Sequence, residues 1–176
     1  MTSQITTQRL RLRPWRMDEF QALANMLQDP QTMHHWPKPL EDDEVQFWLQ
    51  RNVEQIQERG FSRWCCERIE DQAIVGDVGL AATEILGEAV IDLGYIIHVD
   101  YWYQGFGFEA AEGVVKWAKQ HGHQFGINGA SGLIANMAND NKPSASVAEK
   151  LGMQLEKTFV NPNNDNKDTY LYRLVW

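Results

Sequence analysis

The chain has little cysteine. Of its 176 residues only Cys65 and Cys66 carry thiols, and they are adjacent. Neighbours on a strand point to opposite faces, so a disulfide between them is not expected. No Cys/His spacing suits zinc, and no metal is expected. A reducing, cytoplasmic setting follows as the expectation. Long apolar runs are also missing. None approaches the roughly 20 residues that a bilayer-spanning helix needs, and the opening MTSQITTQRLRLR has no apolar signal-peptide core. Basic residues are scarce: 16 Lys and Arg stand against 24 Asp and Glu, a net charge of −8. That balance opposes contact with nucleic acid or an anionic membrane and suits a cationic partner. No Gly-Lys-Ser/Thr follows a glycine turn, which excludes a Walker-type phosphate loop.

What the chain does have is enough hydrophobic residues, 43%, for a sizeable core, and a length that suits one domain over residues 1–176. Its most informative stretch is Gly94 to Ala110, GYIIHVDYWYQGFGFEA. The apolar run Val90 to Val99 ends in aromatics and meets Gln104-Gly105-Phe106-Gly107. Then Phe108, Ala111, Val115 and Ala118 recur at helical steps, and Gly122 is expected to stop that helix in the left-handed conformation. Strand, glycine turn, helix leaves the first N–H groups of a helix aimed at one spot, where its dipole favours an anion. Residues 103–108 therefore read as a diphosphate cradle. A dinucleotide fold would also need a carboxylate about twenty residues on. None lies between Glu112 and Asp140, so that alternative is weak.

The remaining order is read from periodicity. Arg9 to Trp15 is a short strand, Met17 to Gln28 a helix, and residues 30–40 a proline-bounded loop. Glu41 to Arg59 is a second helix stopped by Gly60. Phe61 to Ile69, Ala73 to Ala81 and 89–98 alternate as a three-strand meander. After the cradle helix come a strand at Gly132 to Met137, a short helix from Ser144 to Leu151 with Pro143 in its first turn, and strands at Met153 to Val160 and Asp168 to Trp176. The strands flanking the cradle helix should be parallel. The expectation is α/β (α+β): a mixed, mostly antiparallel twisted sheet of about seven strands with four helices.

Gly94-Tyr95, Trp102-Tyr103-Gln104-Gly105-Phe106-Gly107 and Glu109-Ala110 resemble the acyl-CoA motif of the GNAT superfamily of N-acyltransferases. The match is best to the Rim-type branch that acetylates the N-terminal amines of ribosomal proteins, and Trp102 points to that branch. Asn141-Lys142-Pro143-Ser144 followed by Glu149-Lys150-Leu151-Gly152-Met153 resembles a second family signature, with Met for Phe. Thr7 to Arg13 resembles a third. The resemblance implies the GNAT fold, with the strand before the cradle helix and the strand after it splayed apart for acyl-CoA.

It also implies acetyl transfer from acetyl-CoA, as co-substrate, to a primary amine. The first acceptor reading is the N-terminal α-amine of a ribosomal or other protein. The alternatives are a small amine (a polyamine, amino acid or amino sugar) and a catalytically inactive acyl-CoA-binding sensor. The cofactor is expected on backbone around Ile97, His98 and Val99, on Tyr103, Gln104, Gly105, Phe106, Gly107 and Phe108, and on Asn141. An N–H near Ile97 would stabilise the thioester oxygen, and Ser144 would face the departing sulfur. Glu84, Asp92, His98, His34 and His35 are the possible bases for the amine's proton. His34, His35 and Trp36 could shape the acceptor pocket. Glu109 is read as structural. Either a monomer or a homodimer is compatible with the sequence.

Overall fold

Helical spacing gives way to alternation near residue 61, and there the chain passes from helices into sheet. The structure, a computed structural model, describes residues 4–176. Two short strands, β1 (Ile5–Thr6) and β2 (Leu10–Arg13), come first. A 3-10 turn at Met17–Glu19 leads into α1 (Phe20–Leu27), and α2 (Asp42–Arg59) follows. The Glu44 carboxylate accepts from Glu41 N–H at 2.8 Å at the start of α2, and Gly60 ends it with φ 76°, a conformation that costs glycine nothing.

The meander is β3 (Arg63–Arg68), β4 (Ile74–Ile85) and β5 (Glu88–Ile97). Then come α3 (Phe106–His121), β6 (Leu133–Ala138), α4 (Lys142–Lys150), β7 (Gln154–Asn161) and β8 (Lys167–Leu174). All strands form one sheet in the order β1-β2-β3-β4-β5-β6-β8-β7. Every pairing is antiparallel except β5 with β6, which is parallel as the helical crossover requires. That pair shares one register point, Asp92 opposite Ile134. Both strands run on, to Ile97 and Ala138, without further pairing. The sheet therefore opens between their C-terminal ends.

A packed layer covers each face. Leu10, Leu12, Trp64, Cys66, Val78 and Leu80 pack with Ala110 and Val114 of α3 and Ala148 of α4. Trp15, Leu23, Leu27, Leu49, Cys65 and Ile96 form the layer under α1 and α2. Cys65 and Cys66 thus lie in different cores, and both are free thiols. Among the described residues no helix is long and apolar enough to cross a membrane.

Four expectations need correcting. The sheet has eight strands rather than about seven. The extra one, β1, has two residues and a single buried side chain, Ile5, too little to make a period. The first helix begins as a 3-10 turn at Met17–Glu19. Gly122 is right-handed, and the left-handed turn comes at Gly126, φ 77°, after a further 3-10 segment. Gly122 needs its missing side chain for packing instead, because a Cβ there would stand 3.0 Å from Ile127. The β4–β5 turn is shorter than the interval left between the strands expected at Ala73 to Ala81 and 89–98. It is a two-residue turn in which Leu86 (φ 53°) and Gly87 (φ 80°) are both left-handed, the type that matches strand twist.

Candidate active site

β5 delivers the chain to the open edge, and the turn after it is pinned from three sides. The Trp102 indole N–H donates to the Ile97 carbonyl at 2.7 Å. The Arg9 guanidinium donates to the Gln104 carbonyl at 3.0 Å and to Glu109 at 2.7 Å. The Thr7 hydroxyl and the Arg9 N–H also donate to Glu109, at 2.6 and 2.7 Å. Burial would raise the Glu109 pKa, but these three donors outweigh it and hold the carboxyl below its ordinary value. Glu109 thus ties the first strands to α3.

Tyr103 (φ 60°) and Gly105 (φ 82°) take left-handed conformations and turn the chain into the helix. The ladder of α3 begins with Glu109 N–H donating to the Gly105 carbonyl. The amides of Phe106, Gly107 and Phe108 precede it and point out of the helix end. The nearest contacts of a Cβ built at Gly105 or Gly107 would be Arg9 at 3.4 Å and Ile97 at 3.6 Å. Neither glycine has a close neighbour where a side chain would stand, so the backbone at the start of this helix is not crowded. Phe106 can offer only backbone, since its ring is buried beneath the Arg9 guanidinium, 4.5 Å from centroid to Cζ. Tyr103 is almost wholly exposed.

Of the three residues at the end of β5, two use their amides within the fold. His98 N–H donates to the Val75 carbonyl at 2.9 Å, and Val99 N–H donates to the Thr32 hydroxyl at 3.1 Å. Antiparallel alternation then turns the N–H groups of Ile97 and Tyr95 to the opposite edge, toward the gap left by β6. His98 also caps the next turn, its Nδ1 accepting from Asp100 N–H at 3.2 Å.

On the far side of the gap Asn141 caps α4, its Oδ1 accepting from Ser144 N–H at 3.2 Å. Ser144 is not the cap. It lies half-buried on the cleft wall, and the Tyr95 hydroxyl donates to its carbonyl at 2.7 Å, bridging β5 and α4. Burial, then repulsion from Asp92, pushes the Tyr95 phenol up, so it stays a neutral donor.

A cleft of about 680 Å³ runs from Ser144, Asn141 and Tyr95 past Gly94 to the loop between α1 and α2. His35 and Trp36 line it. His34 packs against His35 with the rings tilted (centroids 3.7 Å apart, planes at 44°) and lies 5.7 Å from the Trp102 ring. His35 Nδ1 lies 3.1 Å from Asp140. Burial and the neighbouring His34 lower the His35 pKa against the opposing pull of Asp140. Asp92 is buried. It accepts from Asn136 at 2.9 Å and faces the Arg63 guanidinium at 3.5 Å, and burial raises its pKa. Glu84 lines the cleft from the exposed end of the β4–β5 hairpin.

The sequence reading missed Arg63 and Arg51. Arg63, on β3, is only 8% exposed, and its guanidinium lies across Gly94, where a Cβ would overlap it. Arg51, on α2, approaches the same Trp48 ring, with guanidinium carbons 5.1 Å (Arg51) and 5.6 Å (Arg63) from its centroid. Beneath them Asp77, fully buried, accepts from the indoles of Trp15 at 2.8 Å and Trp48 at 3.1 Å. The available signal was a charged residue inside the apolar strand that begins Phe61-Ser62-Arg63-Trp64, opposite glycines in the next two strands.

Residues 9–154 match the family model described as an acetyltransferase (GNAT) domain. The chain belongs to that family of acetyltransferases. It is similar to an uncharacterized protein of Bacillus subtilis, YkkB, with 26% identity over 158 residues, 89% of this chain and 88% of that one. Its fold matches a putative ribosomal-protein-serine acetyltransferase from Vibrio cholerae, with a TM-score of 0.77, 23% identity and all of both chains covered. It also matches RimL, a ribosomal L7/L12 α-N-protein acetyltransferase solved with coenzyme A, with a TM-score of 0.74, 17% identity and 98% of each chain covered.

Proposed function

We propose that the chain transfers acetyl from acetyl-CoA to the α-amine of a polypeptide, and that the gap between β5 and β6 is where the thioester lies. One observation carries this reading: the Ile97 N–H turns to the edge where β5 and β6 part, with Gly107 at the start of α3 against Ile97 and Ser144 bridged to Tyr95 on the same strand. The amides of residues 106–108 would hold the diphosphate. The Ile97 N–H would donate to the thioester oxygen as it gains charge. The incoming amine nitrogen forms a bond to the acetyl carbon. The carbon–sulfur bond breaks, and its electron pair leaves on sulfur, with Ser144 donating a hydrogen bond to the thiolate. His35, kept neutral by its lowered pKa and facing the cleft, takes the amine's proton directly or through water.

The polypeptide acceptor is supported by the Trp102 to Ala110 motif and by the fold shared with RimL and with the putative ribosomal-protein-serine acetyltransferase. The small-amine reading is favoured by a different observation, the buried Arg63 and half-buried Arg51 on the cleft wall. Release of CoA thiol, followed with a panel of peptides and a panel of small amines, separates the two readings. Tight CoA binding with no transfer to either panel would replace both with a sensor.

A further inference from the structure

We propose that the acceptor amine carries a carboxylate, and that Arg63 together with Arg51 receives it in the cleft beside Gly94. The inference rests on the acetyl-transfer reading and narrows its acceptor.

A guanidinium has five donors and no acceptor. On Arg63 the buried Nε and Nη1 have no hydrogen-bond partner among the described residues, and neither does the buried Nε of Arg51. The nearby carboxylates do not meet this demand. Asp92 stands 3.5 Å from Arg63 Nη2 and accepts from Asn136. Asp77 is taken by two indoles, and Glu84 sits at the exposed hairpin end. Both arginines line the same cleft as His35, Tyr95 and Ser144. Two cations are thus held against one ring, with donors unmet, and burial and the like charge of Arg63 lower the Arg51 pKa. A carboxylate supplies two acceptor oxygens and opposite charge, and the planar fork of arginine suits it.

Gly94 has its place here, since any side chain on it would displace Arg63. From Gly94 to Ile97 is three strand residues, about 10 Å at roughly 3.3 Å per residue. A carboxylate on the Arg63 guanidinium would therefore lie on the same strand as the proposed thioester site and within about 10 Å of it. Two sources present this chemistry: a free amino acid, or a polypeptide N-terminus followed by an acidic side chain.

The test measures CoA release by the full chain with matched amines. One pair is glycine and glycinamide. The other is a short peptide with glutamate at its second position and the same peptide with glutamine. The carboxylate member of at least one pair should show a ten- to hundredfold higher kcat/KM, as hydrogen bonds to charged groups allow. Preference in the first pair alone identifies a free amino acid, and preference in the second alone identifies an acidic N-terminus. In Arg63→Met that preference should fall below threefold, through KM more than kcat, and Arg63→Lys should recover part of it. Arg51→Met gives the same readout if Arg63→Met does not fold.

Calorimetry of N-acetylglycine and of the acetylated glutamate peptide, each with the CoA-loaded protein, reports on the anion site without turnover. If no amine is acetylated but one of these binds in an Arg63-dependent way, acetyl transfer falls and the anion site stands. Equal rates within both pairs, or a preference that survives both arginine variants, overturns the anion site and leaves acetyl transfer intact.

Discussion

The two ends of the β5–β6 gap are built in opposite ways. At the α3 end the groups proposed to hold the cofactor are backbone amides, and eight consecutive residues, Trp102 to Glu109, make nearly all of it. At the α2 end they are side chains: Arg51 from a helix, Arg63 and Asp92 from two strands, and His35 and Trp36 from a loop. A backbone site is insensitive to most substitutions and binds what its relatives bind. A side-chain site can change with single substitutions. The proposed acceptor end is therefore the part that single substitutions can alter, and it is also where burial of charge makes the fold vulnerable.

The largest effect should appear at the acceptor end, as lost stability. Asp77→Leu leaves two buried indole N–H groups without an acceptor and Arg63 with less opposing charge. Urea denaturation should show a loss of about 3–5 kcal/mol, the usual result of breaking a buried charged network. A loss under 1 kcal/mol would mean that the side chains there are not held as the contrast requires.

Ser144→Ala comes next. Asn141 provides the cap, and Tyr95 binds the Ser144 main-chain carbonyl, so the variant removes only the hydroxyl. Its kcat should drop roughly ten- to a hundredfold, at or below the low end of general acid assistance, with the melting temperature and CoA affinity kept. A kcat within twofold of the parent would withdraw Ser144 from the reaction.

At the backbone end Gly107→Val should keep the fold, since the added Cβ meets only ordinary contact with Ile97. It should nevertheless weaken CoA binding at least tenfold, about 1.4 kcal/mol. Calorimetry giving unchanged affinity in the folded variant would remove the cradle.

The smallest effect is a displaced pH limb. With His35 as base, kcat/KM falls as pH drops through its pKa, which lies below the ordinary value near 6.5. Removing the neighbouring positive charge with His34→Gln should move that limb to higher pH, and Asp140→Asn should move it lower. The linkage to stability has the same sense. A histidine with a depressed folded pKa stabilises the protein above its unfolded value, and that contribution is lost as pH falls through the folded one. A limb that stays put in both variants excludes His35.

The same contrast explains what the sequence disclosed. Strand alternation and helical stripes located every element from α1 to β8 within a few residues, because most of the stripes face a packed core. Glycines at 105 and 107, between an apolar run and a helical stripe, marked the turn from β5 into α3 because it is contiguous. Arg63 and Arg51 stayed hidden, one in a strand and one on a helix face that looks solvated. Nothing local says that both meet at Gly94. The jobs of Glu109 and Trp102 as ties, and the bridge from Tyr95 to Ser144, also join residues distant in sequence or in register. Gly122 misled because a small residue at a helix end usually marks a left-handed stop, whereas here it makes room for Ile127.

The most direct test of the central claim is a crystal structure with acetyl-CoA bound. The thioester oxygen should lie about 2.7–3.1 Å from the Ile97 nitrogen, the range for an oxyanion donor, with the diphosphate on the amides of residues 106–108. A thioester outside the β5–β6 gap, or a diphosphate away from the start of α3, would contradict it.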